Sequence, residues 1–202
     1  VPIAELRPTQ MTVGFREVAQ KRLRWRSRLR SAGHAAIPVA PVVLGPGDTL
    51  YLIDRHHLMR AVMQEGLHEA LVRPVADFRA LAPQDVWPAL GARGWRHPYG
   101  ADGRRRAFSE SPPTLDALRD HPYRSLASAL RRAGGFTKQA APCSEFAWAD
   151  FLRQRISAIF HSGKFPDVKV VAPAAVSFPK VQTLLTTLGE LGVPNVSFAT
   201  RG

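Results

Sequence analysis

Four consecutive polar residues, Asp54-Arg55-His56-His57, carry the chemistry this chain displays most openly. Imidazole exchanges protons near neutral pH, so two side by side can serve as general acid and base or ligate a metal. Arg55 offers a planar fork of donors that fits a phosphate, as a lysine does not. Asp54 can cap a following helix, or orient His57 and raise its basicity. On that helix His56 and Arg60 stand four residues apart on one face and would clamp a phosphate, while His57 shares the side of Ala61. The candidate catalytic residues are His57, Asp54 and His56, and the candidate phosphate ligands are Arg55, His56 and Arg60. The plainer reading makes Asp54 only a cap and the histidines solvated surface groups.

The tetrad needs a strand that feeds directly into a helix. Thr49 to Ile53 is apolar and β-favouring, and Leu58 to Glu65 reads as helix stopped by Gly66. Such a junction exposes the free N–H groups of the helix start, a natural seat for an anion. Upstream, Ile3-Ala4-Glu5-Leu6 is expected to be a short strand ending at the turn Arg7-Pro8-Thr9-Gln10, and Phe15 to Arg30 a basic helix with Gly33 as its stop. Ile37 to Leu44, the turn Gly45-Pro46-Gly47-Asp48 and Thr49 to Ile53 form a hairpin. Ala70 to Phe78 is a further strand, broken by Pro74. The first eighty residues thus read β-α-β-β-α-β.

From about Leu81 the texture becomes irregular, rich in proline and glycine through Pro112-Pro113. Helices are expected over Thr114–Asp120, Ser125–Ala133 and Ser144–Phe160, the last with a stripe of Phe146, Trp148, Phe151, Leu152, Ile156 and Ile159 that suits a core. The tail holds a strand over Val168–Val171 and a helix begun by Ser177 and Pro179 and closed by Gly192. No internal repeat is present.

Charge is the strongest bulk signal. Lys+Arg number 28 against Asp+Glu 16, a net +12 with pI near 11.1, which points to polyanions such as nucleic acid, nucleotides or an acidic membrane surface. The competing reading is an arginine-rich surface kept for solubility. The best nucleic-acid candidates are Lys21, Arg22, Arg24 and Trp25 on the basic helix, with Arg104 and Arg105 in a second cluster. Arginine contacts to phosphate would be salt-dependent and independent of base sequence; Trp25 would either stack on a base or anchor the core. No helix-turn-helix, zinc-finger or RNP-like signature supports sequence-specific recognition.

Cys143 is the single cysteine, which excludes an internal disulfide and a multi-cysteine zinc site. The seven histidines show no HxxxH or HExxH spacing, so the metal, if there is one, is left open. No apolar run reaches the roughly 18 residues a membrane span needs. Val1 rather than methionine opens the chain, so a preceding segment is expected to have been removed, either in preparation or as a signal peptide. The compartment, cytoplasmic or, if a signal peptide was removed, periplasmic or secreted, stays open with it.

Leu6-Arg7-Pro8-Thr9-Gln10, Pro38-Val39 and Tyr51-Leu52-Ile53-Asp54-Arg55-His56-His57, followed by Arg60-Ala61 and Gly66, resemble the ParB/sulfiredoxin superfamily, and more narrowly its ParB-like nuclease group. Asp120-His121-Pro122-Tyr123-Arg124-Ser125-Leu126, Lys138 and Glu145 to Phe151 are similar to that group as well. The resemblance implies an α+β fold with a small mixed sheet in residues 1–80, an irregular connection in 81–113, and a mainly helical extension in 114–202 packed on the core. It also implies a phosphate site at Asp54–His57, with Gln10, Arg124, Ser125 and Lys138 as further phosphate or nucleotide ligands.

Two departures narrow the activity. The sulfiredoxin branch needs a cysteine in the turn, where His56 stands, which argues against sulfinic reductase activity. The serine-kinase branch has a glycine after the aspartate and a catalytic glutamate in the first motif; Arg55 and Gln10 stand there, and glutamine is no general base. The expected function is phosphoester cleavage on nucleic acid or nucleotide. The alternatives are a nucleotide-dependent small-molecule kinase and a non-catalytic nucleotide- or DNA-binding module. A divalent metal and a nucleotide are both open as cofactors, and the sequence gives no oligomeric state.

Overall fold

The computed structural model of the protein describes residues 1–32, 37–137, 143–162, 168–173 and 176–201. They fall into two compact units, Val1–His121 and Pro122–Gly202. The first runs β1 (Leu6–Pro8), β2 (Thr12–Val13), α1 (Phe15–Ala32), β3 (Val39–Leu44), β4 (Leu50–Leu52), α2 (His56–Gln64), β5 (Leu71–Asp77), α3 (Pro83–Ala92) and β6 (Arg119–Asp120). The second runs α4 (Pro122–Arg132), α5 (Ser144–Ser162), β7 (Val168–Pro173), α6 (Phe178–Glu190) and β8 (Val196–Arg201). The expected α+β class is what the chain adopts.

In the first unit four strands lie in the order β1-β4-β3-β5. The β1/β4 and β3/β5 pairs are parallel, while β3 and β4 form the antiparallel hairpin. The apolar run of β3 has no polar side because both faces of the sheet are covered. Ala40, Val42, Leu6 and Leu52 join one core with Val18 and Trp25 of α1 and Met59, Ala61 and Val62 of α2. Val43 and Tyr51 join the other with Val86, Trp87 and Leu90 of α3. The hairpin turn brings Gly45 so close to Tyr51 that a Cβ there would lie 2.3 Å from the tyrosine ring. Only glycine fits.

Pro74 bends β5 rather than breaking it. The register with β3 shifts between Val42 and Val43, and that bulge on an outer strand is where a residue without an N–H is tolerated. Helix α2 stops as read: Gly66 adopts φ +83°, and the Gly66 and Leu67 N–H groups close on Met63 and Val62 carbonyls. Three other expectations are corrected. Ile3–Glu5 is a turn of 3-10 helix, with the strand beginning only at Leu6. Thr114–Asp120 is not a helix but a short 3-10 turn, Leu115–Ala117, followed by β6. Helix α3 lies inside the stretch read as irregular, opened by Pro83 at its first turn, where a missing N–H costs nothing. Gly33 lies outside the described residues.

The second unit buries Leu126, Ala129, Ile156, Leu184 and Leu188 from α4, α5 and α6. Beside them β7 and β8 pair in parallel from Val168↔Val196 to Pro173↔Arg201; β8 had no expectation in the sequence reading. No described helix is long and apolar enough to cross a membrane.

The basic helix α1 spends much of its charge internally. Arg22 and Arg26 both reach the carboxylate of Glu65 at the end of α2, and Lys21 lies 3.5 Å from Glu17. Trp25 is 4% exposed whereas Leu23 is 63% exposed. The expectation that Trp25 stacks on a base is therefore corrected: its ring is filled in among core side chains. Trp25→Ala is expected to cost about 3–5 kcal/mol in urea unfolding, and Leu23→Ala less than about 0.5 kcal/mol. A Trp25 variant of unchanged stability would contradict the core placement.

Candidate functional site

Parallel pairing of β1 with β4, from Leu6↔Leu50 to Pro8↔Leu52, brings Thr9 and Gln10 out of the sheet on the same edge as Ile53 and Asp54. That edge, at the carboxyl ends of parallel strands and in front of a helix start, is where open α/β sheets bind ligands. Arg55 makes the turn. It takes the N-cap position of α2 at φ +63°, ψ +21°, a left-handed conformation that costs a side-chain-bearing residue about 1 kcal/mol. Asp54 Oδ1 accepts the Arg55 N–H at 2.6 Å, and Arg55 Nη1 donates to the Val39 carbonyl at 3.0 Å. Among the described residues no side chain caps α2. The expected capping by Asp54 is thus corrected: its carboxylate holds the residue before the helix and does not cap the helix itself.

The two imidazoles face inward. His56 is 4% exposed; its Nε2 accepts the Thr9 N–H at 3.2 Å, and its other nitrogen donates to the Leu52 carbonyl. Thr9 Oγ1 donates to the same carbonyl at 2.8 Å. Burial pushes the His56 pKa down to about 4, against the opposing charge of Asp54 and the Leu52 hydrogen bond. The ring is neutral with both nitrogens engaged, and it has no lone pair free for proton transfer. His57 Nε2 accepts the Gly14 N–H at 2.9 Å, with Glu17 Oε2 at 3.6 Å. Side by side, the histidines fasten the segment from Thr9 to Gly14 to the start of α2.

Residues distant in sequence close the same place. Strand β6 pairs with β2, the His121 N–H donates to the Val13 carbonyl at 2.9 Å, and Asp120 Oδ1 accepts the Phe15 N–H at 2.7 Å at the start of α1. Arg60 is buried beneath. Its Nη1 donates to the carbonyls of Leu115 and Leu118, and its guanidinium lies 4.4 Å from the Phe15 ring centre. Burial works against that cation and the charges of Asp116 and Asp120 work for it. Arg60 therefore ties the 115–118 segment to α2 from below. Asp120 and His121 do reach the neighbourhood of His57; Thr9, Gly14 and Glu17 were missed, since only tertiary pairing makes them neighbours. The one local hint was Gly14 ahead of an acidic first helical turn.

A family model described as "Putative ParB-like nuclease" matches residues 1–154, most of the chain. The chain belongs to the ParB-like nuclease family. A search among solved structures adds protein Atu1540 from Agrobacterium tumefaciens, whose crystal structure is similar at 39% identity and a TM-score of 0.73, covering 94% of this chain and 89% of that one. A search of curated proteins returned no match.

On this ParB-like chain the remaining expected ligands belong to both units. Gln10 sits beside the turn, buried, with its Nε2 lacking a hydrogen-bond partner among the described residues and its backbone bridged to His97. In the second unit Arg124 is buried against Glu145 and 5.5 Å from the Phe146 ring centre, and the neighbouring Ser125 is buried too. Lys138 lies outside the described residues. Arg24, Arg104 and Arg105 are exposed. Among the described residues no group of three or more His, Cys, Asp and Glu side chains could hold a metal ion.

The neutral His56 makes stability pH-dependent with a definite sign. Its pKa is about 4 folded against an ordinary 6.5, so the unfolded chain binds the extra proton between those values. The His56 contribution is complete above pH 6.5 and is lost as pH falls towards 4, on the order of 3 kcal/mol in all. Urea midpoints measured across that window are expected to fall steeply in wild type. His56→Asn is expected to be less stable at neutral pH and to have a shallower slope; an equally steep slope in the variant would remove His56 as the cause.

Proposed function

We propose that this ParB-like protein binds phosphate groups of a nucleic acid or nucleotide at the start of α2 and cleaves a phosphoester there. One observation carries the reading: the N-terminal end of α2 lacks a capping side chain while standing at the carboxyl ends of β1 and β4. Uncapped backbone N–H groups and the helix dipole together favour an anion. Two exposed side chains flank that end, Arg55 and Asp54. Arg55 would fork onto the phosphate. Asp54 keeps one carboxylate oxygen without a partner among the described residues, and it would take the proton from an attacking water. In this mechanism His57, His56 and Arg60 hold the turn in shape instead of reacting.

A second reading, binding without cleavage, is favoured by a separate observation. At least three of the four ring nitrogens of the paired histidines are already hydrogen-bonded to backbone. The same assay separates the two. Wild type is expected to melt at higher temperature with added nucleotide or inorganic phosphate, and to cut plasmid DNA or RNA with added divalent metal. Asp54→Asn should lower cutting by about a hundredfold or more while leaving the phosphate-induced shift in place. A shift with no cutting identifies the binding module, and phosphate transfer to a small hydroxyl compound identifies a kinase. Neither shift nor cutting ends the proposal.

Arg55→Gly isolates binding from folding. Glycine adopts the left-handed turn freely, so the variant should be as stable as wild type or more stable by up to about 1 kcal/mol. Its phosphate-induced shift should shrink. A full shift in Arg55→Gly would mean that the guanidinium takes no part.

A further inference from the structure

Across the sheet from α2, three arginines gather without a counter-charge among the described residues. Arg7 stands on β1, the outer strand, opposite Tyr51 of β4, and faces the core that α3 covers. Its guanidinium carbon lies 5.4 Å from the ring centre of Trp87 and 5.9 Å from that of Tyr51. Arg96, just beyond α3, lies 5.2 Å from the same Trp87 ring, so the two guanidinium groups are no further apart than the sum of their distances to it. Arg105, on the short hairpin in which Tyr99 bridges Arg105, is near enough for its charge to act on Arg96.

None of the three meets a carboxylate among the described residues. Their neighbour Arg106 does, on Asp102, as do Arg22 and Arg26 on Glu65. The Nε atoms of Arg7 and Arg96 are buried without a hydrogen-bond partner among the described residues. Burial and the charge of Arg105 both work against the Arg96 cation. A partly buried guanidinium such as that of Arg96, held beside another cation, raises the energy of the free protein, and an anion would relieve it. Stacking on Trp87 also fixes the two side chains in advance, so little rotamer freedom is lost when their forks engage an oxyanion. Trp87 is itself 4% exposed and has no face to offer a base. The cluster is suited to oxyanions alone.

We propose that Arg7, Arg96 and Arg105 form a binding site for the sugar-phosphate backbone of a nucleic acid, read without regard to base sequence. Several cations spread over β1, the segment after α3 and the 98–106 hairpin match a chain of phosphates better than a single one. The proposal rests on the reading that the partner of this protein carries phosphate groups, and it selects a polymer over a free nucleotide. It locates that contact on the α3 side, apart from the turn before α2.

Fluorescence anisotropy of a labelled single-stranded oligonucleotide, titrated with the full chain at several salt concentrations, tests it. Arg7→Gln/Arg96→Gln/Arg105→Gln is expected to bind about tenfold or more weakly at low salt and to flatten the log–log salt dependence by about two units, at roughly 0.7 per lost phosphate contact. The three Arg→Lys changes together should keep most of the slope, because charge sets it. Arg105→Glu, at an exposed position, should weaken binding with no change in melting temperature. Unchanged binding in Arg105→Glu overturns the site, whether or not the Arg7 and Arg96 variants fold. So does an unchanged slope in a folded triple variant. If Arg55→Gly alone abolishes oligonucleotide binding while the triple variant binds normally, the inference fails and the α2 reading stands. If the triple variant loses the oligonucleotide but keeps its phosphate-induced melting shift, both stand.

Discussion

One neutral imidazole holds the geometry of this protein together. His56 receives the Thr9 N–H on one nitrogen and gives its proton to the Leu52 carbonyl from the other, joining the exits of two parallel strands to the first residue of α2. A side chain that is donor and acceptor at once, at a fixed separation, can bridge two backbone strands where their own ladder has ended. Charging the ring would place two donors against one carbonyl and one N–H, in a buried place. The position of Arg55 follows from that bridge, because it sets where α2 begins.

The central hairpin and α2 were legible because local signals agree: apolar alternation, a glycine-rich turn, and Gly66 at the helix stop. What was misread depends on partners far along the chain. Thr12–Val13 and Arg119–Asp120 are too short to announce themselves as strands, and they become strands only on each other. Helix α3 was hidden by its prolines, although Pro83 stands where a helix start favours proline. The parallel partner of β7 likewise had no turn or hairpin to give it away.

The chemistry of the site was legible to a lesser degree. Residue types told truly that Asp54 to His57 is special, but not which of the four face solvent. Histidine and arginine are read as reactive or phosphate-binding because they are usually accessible, whereas His56 and Arg60 satisfy backbone groups in the interior. The high charge of α1 misled in a similar way. Two of its arginines converge on the single carboxylate of Glu65, an ion-pair geometry that no spacing within α1 discloses. Conversely, the sequence marked Arg7 only as part of a motif and not as a ligand, since its distinction is the carboxylate it does not meet among the described residues.

Asp120 accepts the N–H of Phe15 across 105 residues of chain. During synthesis the start of α1 therefore lacks its carboxylate, and β2 its partner, until nearly all of the first unit has left the ribosome. The amino-terminal segment must wait, exposed, for a stretch made last. Closure over so long a span carries a loop-closure entropy that contacts within a helix do not, the kind of pairing that slows assembly.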